Sequence, residues 1–103
     1  LVPFILKVLL QEKDELSIFG NDYNTPDGTG VRDYVHIEDI ARAHSKGISY
    51  IDNLEEGFQP FNLGSGVGYS VLEIISAFEK VTGKKIPYKF SKRRDGDVAS
   101  TNC

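Results

Sequence analysis

The sequence holds one cysteine, Cys103, and neither methionine nor tryptophan. A single thiol cannot close an internal disulfide, which fits a reducing compartment, and at the last position Cys103 reads as a point of truncation rather than a nucleophile. No apolar run reaches the roughly 18 to 20 residues needed to cross a bilayer, and the apolar start over 1–10 contains Pro3 and Lys7 and lacks a basic leader. Neither a membrane span nor a signal peptide is expected. An excess of one charge is missing as well: 12 basic against 15 acidic residues leave a net −3, so neither nucleic acid nor a membrane is an expected partner. His36 and His44 have no Cys, Asp or Glu at ligand spacing, so no metal is expected, and no Ser-His-Asp or Cys-His arrangement is readable.

What is present is the make-up of one soluble globular unit, 103 residues with 40% apolar and 26% charged, and the alternation of helices and strands along it predicts an α/β fold. Residues 3–11 read as the end of a helix, too crowded with apolar side chains to be amphipathic. It has no cap at its start, so the chain is expected to be a fragment of something longer. A charged connector over 12–15 leads to a strand at 16–19, a loop at 20–30 and a second strand at 31–36. From Ile37 the apolar period becomes about 3.6, with Ile37, Ile40, Ala41, His44, Ile48 and Ile51 in one stripe, which predicts an amphipathic helix packed on a sheet. A turn at 53–57 and a third strand at 58–63 follow. Ser70 with Glu73 three residues later is a capping box ahead of Val71, Ile74, Ile75, Phe78 and Val81. Gly83 stops that helix, and 86–90 is a final strand.

Several stretches invite a chemical reading. The 20–30 loop, dense in Gly, Asn, Asp, Thr and Pro, is an ordered surface loop able to present backbone groups to a ligand. Arg32, just beyond it, must find an anion or stay in water, and a phosphate would satisfy it. Gly64-Ser65-Gly66-Val67-Gly68 is placed like a dinucleotide loop, but the third glycine position is Tyr69 and the acid expected after the next strand is replaced by Ser91 and Lys92. A tight turn near a ligand is the expected use, with Val71 able to touch a base. Tyr88 and Lys92 have the spacing of a Tyr-x-x-x-Lys pair, yet on a strand four steps separate their Cα atoms by about 13 Å, too far for coupling. Lys84, Lys85, Lys89, Lys92, Arg93 and Arg94 crowd together. The lysines suit a solvated edge strand, and the Asp95-Gly96-Asp97 turn could hold the two arginines for a dianion.

Ile18-Phe19-Gly20-Asn21-Asp22-Tyr23, followed by Asp27-Gly28-Thr29-Gly30-Val31-Arg32-Asp33-Tyr34-Val35-His36, resembles the UDP-galactose (UDP-glucose) 4-epimerases of the extended short-chain dehydrogenase/reductase superfamily. The blocks Phe61-Asn62-Leu63-Gly64-Ser65-Gly66-Val67-Gly68-Tyr69-Ser70-Val71 and Arg93-Arg94-Asp95-Gly96-Asp97 are similar to epimerase sequence in the same order, so the resemblance covers the whole chain. Lys92 departs from it, standing where the family usually has Pro.

The resemblance implies that the nicotinamide site and catalytic Tyr and Lys lie in an N-terminal Rossmann lobe whose motifs are absent here, so no catalytic or cofactor-binding residue is expected in this chain. It would be the small C-terminal substrate-binding portion of an NAD-dependent enzyme of galactose metabolism, gripping the UDP of a UDP-hexose. Leu1 matches the residue after a uridine-contacting Asn. Ser17, Ile18 and Phe19 match the strand beside the uracil, Arg32 and Arg94 the diphosphate ligands, and Asp97 the ribose-hydroxyl acceptor. Thr101 falls where a residue walls the hexose pocket, and a small one there goes with N-acetylated sugars. In that family a hydride leaves C4 of the hexose for NAD and returns to the opposite face after the 4-keto sugar rotates. A cytoplasmic homodimer is expected of the whole protein. A nucleotide-sugar 4,6-dehydratase, which shares the Arg-Asp-Tyr-Val-His core, and a non-catalytic UDP-sugar-binding module are the alternatives.

Overall fold

The computed structural model describes residues 1–54 and 57–101. Cys103 and residues 55–56 of the expected turn lie outside the described residues. In chain order the elements are α1 (Val2–Leu9), β1 (Leu16–Phe19), β2 (Val31–Arg32), α2 (Ile37–Ile51), β3 (Tyr69–Ser70), α3 (Val71–Thr82), β4 (Tyr88–Ser91) and β5 (Ser100–Thr101). This is a mixed α/β arrangement, as the alternation of periods predicts.

Helix α1 opens with Pro3, whose preset φ and missing N–H suit a first turn. Contrary to expectation it is amphipathic, because Ile5 and Val8, three apart, are buried while Phe4 and Leu6 stay exposed. Ile5 and Val8 pack with Leu16 and Ile18 of β1, Ile75 of α3 and Ile86 to form the core. Each aliphatic side chain so buried is worth about 1.5 to 3 kcal/mol. β1 pairs in parallel with β4, from Leu16↔Tyr88 to Phe19↔Ser91, and β4 begins two residues later than expected.

A second sheet runs β3-β2-β5, with β2 antiparallel to β3 and parallel to β5. The expected strand over 31–36 shrinks here to Val31–Arg32, since the chain beyond turns aside: the Asp33 carboxylate reaches the 64–68 loop and His36 becomes the cap of α2, its Nδ1 accepting from Glu38 N at 3.2 Å. The expected strand at 58–63 is not a strand. Phe58 is 90% exposed, and no described strand pairs with the segment.

Ser70 caps α3 in both directions, accepting from Glu73 N at 3.1 Å while its own N–H donates to Glu73 Oε2 at 2.7 Å. Gly83, with φ +67, ends the helix in a left-handed conformation that favours glycine. α2 matches its predicted span, but its stripe is not packed on a sheet: Ile37, Ile48 and Ile51 are each about two-thirds exposed or more, and His44 is exposed too. The small β3-β2-β5 ladder offers no face broad enough to cover it. The radius of gyration, 17.3 Å, exceeds the about 13 Å of a compact domain of this length, as an outlying helix requires. No described helix is long and apolar enough to cross a membrane.

Candidate functional site

Between α1, β1, β2 and the N-terminus of α3 lies a cavity of about 440 Å³. Leu1, Ser17, Ile18 and Phe19 line one side of it, and Arg32, Val71, Arg94 and Asp97 also reach it. All eight residues singled out for substrate binding therefore share one cleft. Thr101 pairs in register with Arg32 on β5 but does not line the cavity.

The two arginines are held differently. Arg32 Nη2 donates to Asp97 Oδ1 at 2.7 Å and to the Val98 carbonyl at 2.9 Å, while Nη1 donates to the Val31 carbonyl at 2.7 Å. Arg94 Cζ sits over Phe19, 3.9 Å from the ring centroid, and no described carboxylate forms an ion pair with it. With Lys13, which also lines the cavity and sits over the Phe4 ring, the cleft carries three cations against one acid. Such a surface suits an anion with an apolar, planar partner group.

Five lining residues were not foreseen: Phe4, Lys13, Leu16, Gly30 and Tyr34. Phe4 stands three positions after Leu1 on a helix face, a signal that was there to be read. Tyr34 gave none. Burial pushes its phenol above the ordinary range, with the Arg32 charge pulling back.

A partly buried network ties the loop to α3. The Asp27 carboxylate accepts from Thr29 N at 2.9 Å, from Thr29 Oγ1 at 2.7 Å and from the Ser70 hydroxyl, and Thr29 Oγ1 in turn accepts from Val71 N at 3.2 Å. Thr29 and Ser70 are buried. Partial burial disfavours the Asp27 charge, but the hydrogen bonds from Ser70 and Thr29 outweigh it and hold the carboxyl below its ordinary value. Gly30, next to Thr29, and Val71, both on the cavity, are thereby tied to one another.

The glycine loop does not cradle a phosphate. Asp33 accepts from Ser65 N at 3.0 Å, Ser65 Oγ at 2.7 Å and Gly66 N at 2.9 Å, so an anion would meet a carboxylate already in place. Nor does the Asp95-Gly96-Asp97 turn hold both arginines. Arg93 leaves it for Asp22, with Nε 2.6 Å from Oδ1, and Asp97 serves Arg32. The lysines are exposed as expected, with Lys85 on Glu79 at 3.0 Å and Lys89 on Glu15. Tyr88 packs edge-on against Phe90, at 5.7 Å between centroids. Among the described residues no group of three or more His, Cys, Asp or Glu could hold a metal ion.

Comparison with known proteins adds ancestry to this geometry. The model of the NAD dependent epimerase/dehydratase family matches residues 1–64. The UDP-glucose 4-epimerase of Bacillus subtilis is 51% identical over 100 residues, which are 97% of this chain and 29% of that protein. The human UDP-glucose 4-epimerase is 50% identical over 102 residues, covering 97% of this chain and 28% of its own length. Among solved structures, a UDP-glucose-4-epimerase from Stenotrophomonas maltophila with bound NAD and formylated UDP-arabinopyranose superposes with a TM-score of 0.89 at 45% identity, over 97% of this chain and 30% of that one. The UDP-Glc/GlcNAc 4-epimerase of Campylobacter jejuni gives 0.76 at 36% identity, over 98% and 31%. The chain thus spans less than a third of the length of these relatives.

Proposed function

The chain belongs to the NAD dependent epimerase/dehydratase family, and from that premise we propose that it is the C-terminal, UDP-gripping portion of a longer UDP-glucose 4-epimerase. The observation that carries this is the convergence of Arg32, Arg94 and Asp97 on one cleft beside Phe19. Arg94 can meet a diphosphate with forked hydrogen bonds, each contributing on the order of 1.5 to 3 kcal/mol, and Arg32, with Nη2 given to Asp97 and Val98 and Nη1 to Val31, would add its remaining N–H groups. Asp97, held by Arg32, would accept from the ribose diol, and the Leu1, Ser17 to Phe19 and Val71 side would receive the pyrimidine through apolar contact and backbone groups.

In this reading the chain's work is binding and orientation. Strong grip on the nucleotide leaves the hexose loosely held and free to turn, which inversion at a sugar carbon demands. The redox chemistry belongs to residues outside this chain. The described residues do not fit a dinucleotide, since the glycine-loop donors are spent on Asp33, so NAD would be held by a separate N-terminal lobe. The uncovered stripe of α2 supports a longer protein. A cytoplasmic homodimer is proposed for that whole protein on the family resemblance alone.

Calorimetric titration of the longer protein with UDP tests the reading. Tight binding that Arg94→Ala weakens at least tenfold is the expected result, and UDP binding indifferent to Arg94 would remove it.

A further inference from the structure

Arg93 and Arg94 are neighbours with opposite employment. Beyond β4 their side chains part: Arg94 goes to the cavity over Phe19, and Arg93 goes to the other side, 4.1 Å over the Tyr23 ring. There Arg93 Nε donates to Asp22 Oδ1 at 2.6 Å and Nη2 donates to the Asp22 carbonyl. The same two segments are joined through the backbone by Gly20 N to the Ser91 carbonyl at 2.9 Å. The fit is close, since a Cβ on Gly20 would lie 2.5 Å from Tyr23 Cε2 and 2.9 Å from Arg93 Cγ. Residues 20–23 therefore grip the chain one position before Arg94, whose own side chain is held only by its ring stack among the described residues.

We propose that Asp22 and Arg93 are positioning residues for Arg94, clamping the backbone so that its guanidinium, stacked on Phe19, faces the diphosphate. This rests on the UDP-binding reading above. It carries a sign that charge alone does not. Asp22 is an acid near a site for an anion, so by Coulomb's law its neutralisation should tighten UDP binding. If Asp22 acts by holding Arg93, neutralisation loosens it.

The test is calorimetry with UDP on the longer protein, unaltered and as Asp22→Asn, Arg93→Lys, Arg94→Lys and the Asp22→Asn/Arg94→Lys pair, with a melting curve for each. Asn keeps the shape of an Asp whose side chain is 71% exposed, and Lys at 93 keeps the charge but not the fork. Asp22→Asn and Arg93→Lys should each weaken UDP roughly three- to tenfold, and Asp22→Asn should add nothing once Arg94 is replaced, as residues acting through one another do. A purely structural role would lower the melting temperature and multiply the loss equally in both backgrounds, which overturns the proposal. So would unchanged or tighter UDP binding by Asp22→Asn while Arg94→Lys binds weakly. Absence of UDP binding by the unaltered protein would instead remove the reading on which it stands.

Discussion

Arg32 Nη2 and Asp97 Oδ1 lie 2.7 Å apart across 65 positions of chain. With side chains 29% and 36% exposed, the pair is too wet to add much to stability. Its consequence is geometric: it brings the chain ahead of β5 down to β2 and sets a guanidinium and a carboxylate side by side on one cleft.

Arg32→Lys in the longer protein should therefore weaken UDP about tenfold or more, since an ammonium cannot serve Asp97, Val98 and a phosphate from one planar fork. Calorimetry reads it. Equal affinity would exclude Arg32 from the diphosphate site.

Gly20→Ala should destabilise the fold by about 1 to 3 kcal/mol from backbone conformation alone, because Gly20 sits at φ +89, with more from the clash against the Tyr23 ring. Thermal melting checks this. A melting temperature unchanged from the parent would mean that the loop relaxes freely.

Tyr23→Phe should leave stability unchanged or raise it slightly. The Tyr23 hydroxyl is buried without a hydrogen-bond partner among the described residues, and removing an unsatisfied polar atom relieves its desolvation. Denaturant titration of the two proteins decides, a clear loss counting against it.

Acid should loosen the loop through Asp27. Its folded-state carboxyl is held below the ordinary 3.8, so its contribution is complete at neutral pH and is lost as pH falls below about 4 through the folded value. Melting temperatures measured from pH 7 to pH 3 should show a downward step at the acid end that Asp27→Asn diminishes. Identical pH profiles would leave Asp27 without that role.

Thr101→Tyr in the longer protein should diminish any activity on N-acetylated UDP-hexoses while sparing UDP-glucose, if Thr101 walls the sugar pocket. Unchanged activity on both pairs of substrates would end that reading.

By itself the sequence determined the elements whose signals are local. The capping box at Ser70 and Glu73 with Gly83 bounds α3, the apolar period from Ile37 delimits α2, and turn residues on one side isolate Leu16–Phe19 as β1. It also carried, at Arg32, Arg94 and Asp97, the residue types that the fold brings to one cleft. Only the tertiary structure gave the physical reason that Arg94 and not its neighbour faces the cleft, because Arg93 is drawn off by Asp22, 71 positions away. The two-residue strands β2, β3 and β5 were equally out of reach, being made by their partners and not by any period of their own. So was the fate of the α2 stripe: a 3.6 period says that one face is apolar, and burial depends on whether another surface comes to cover it.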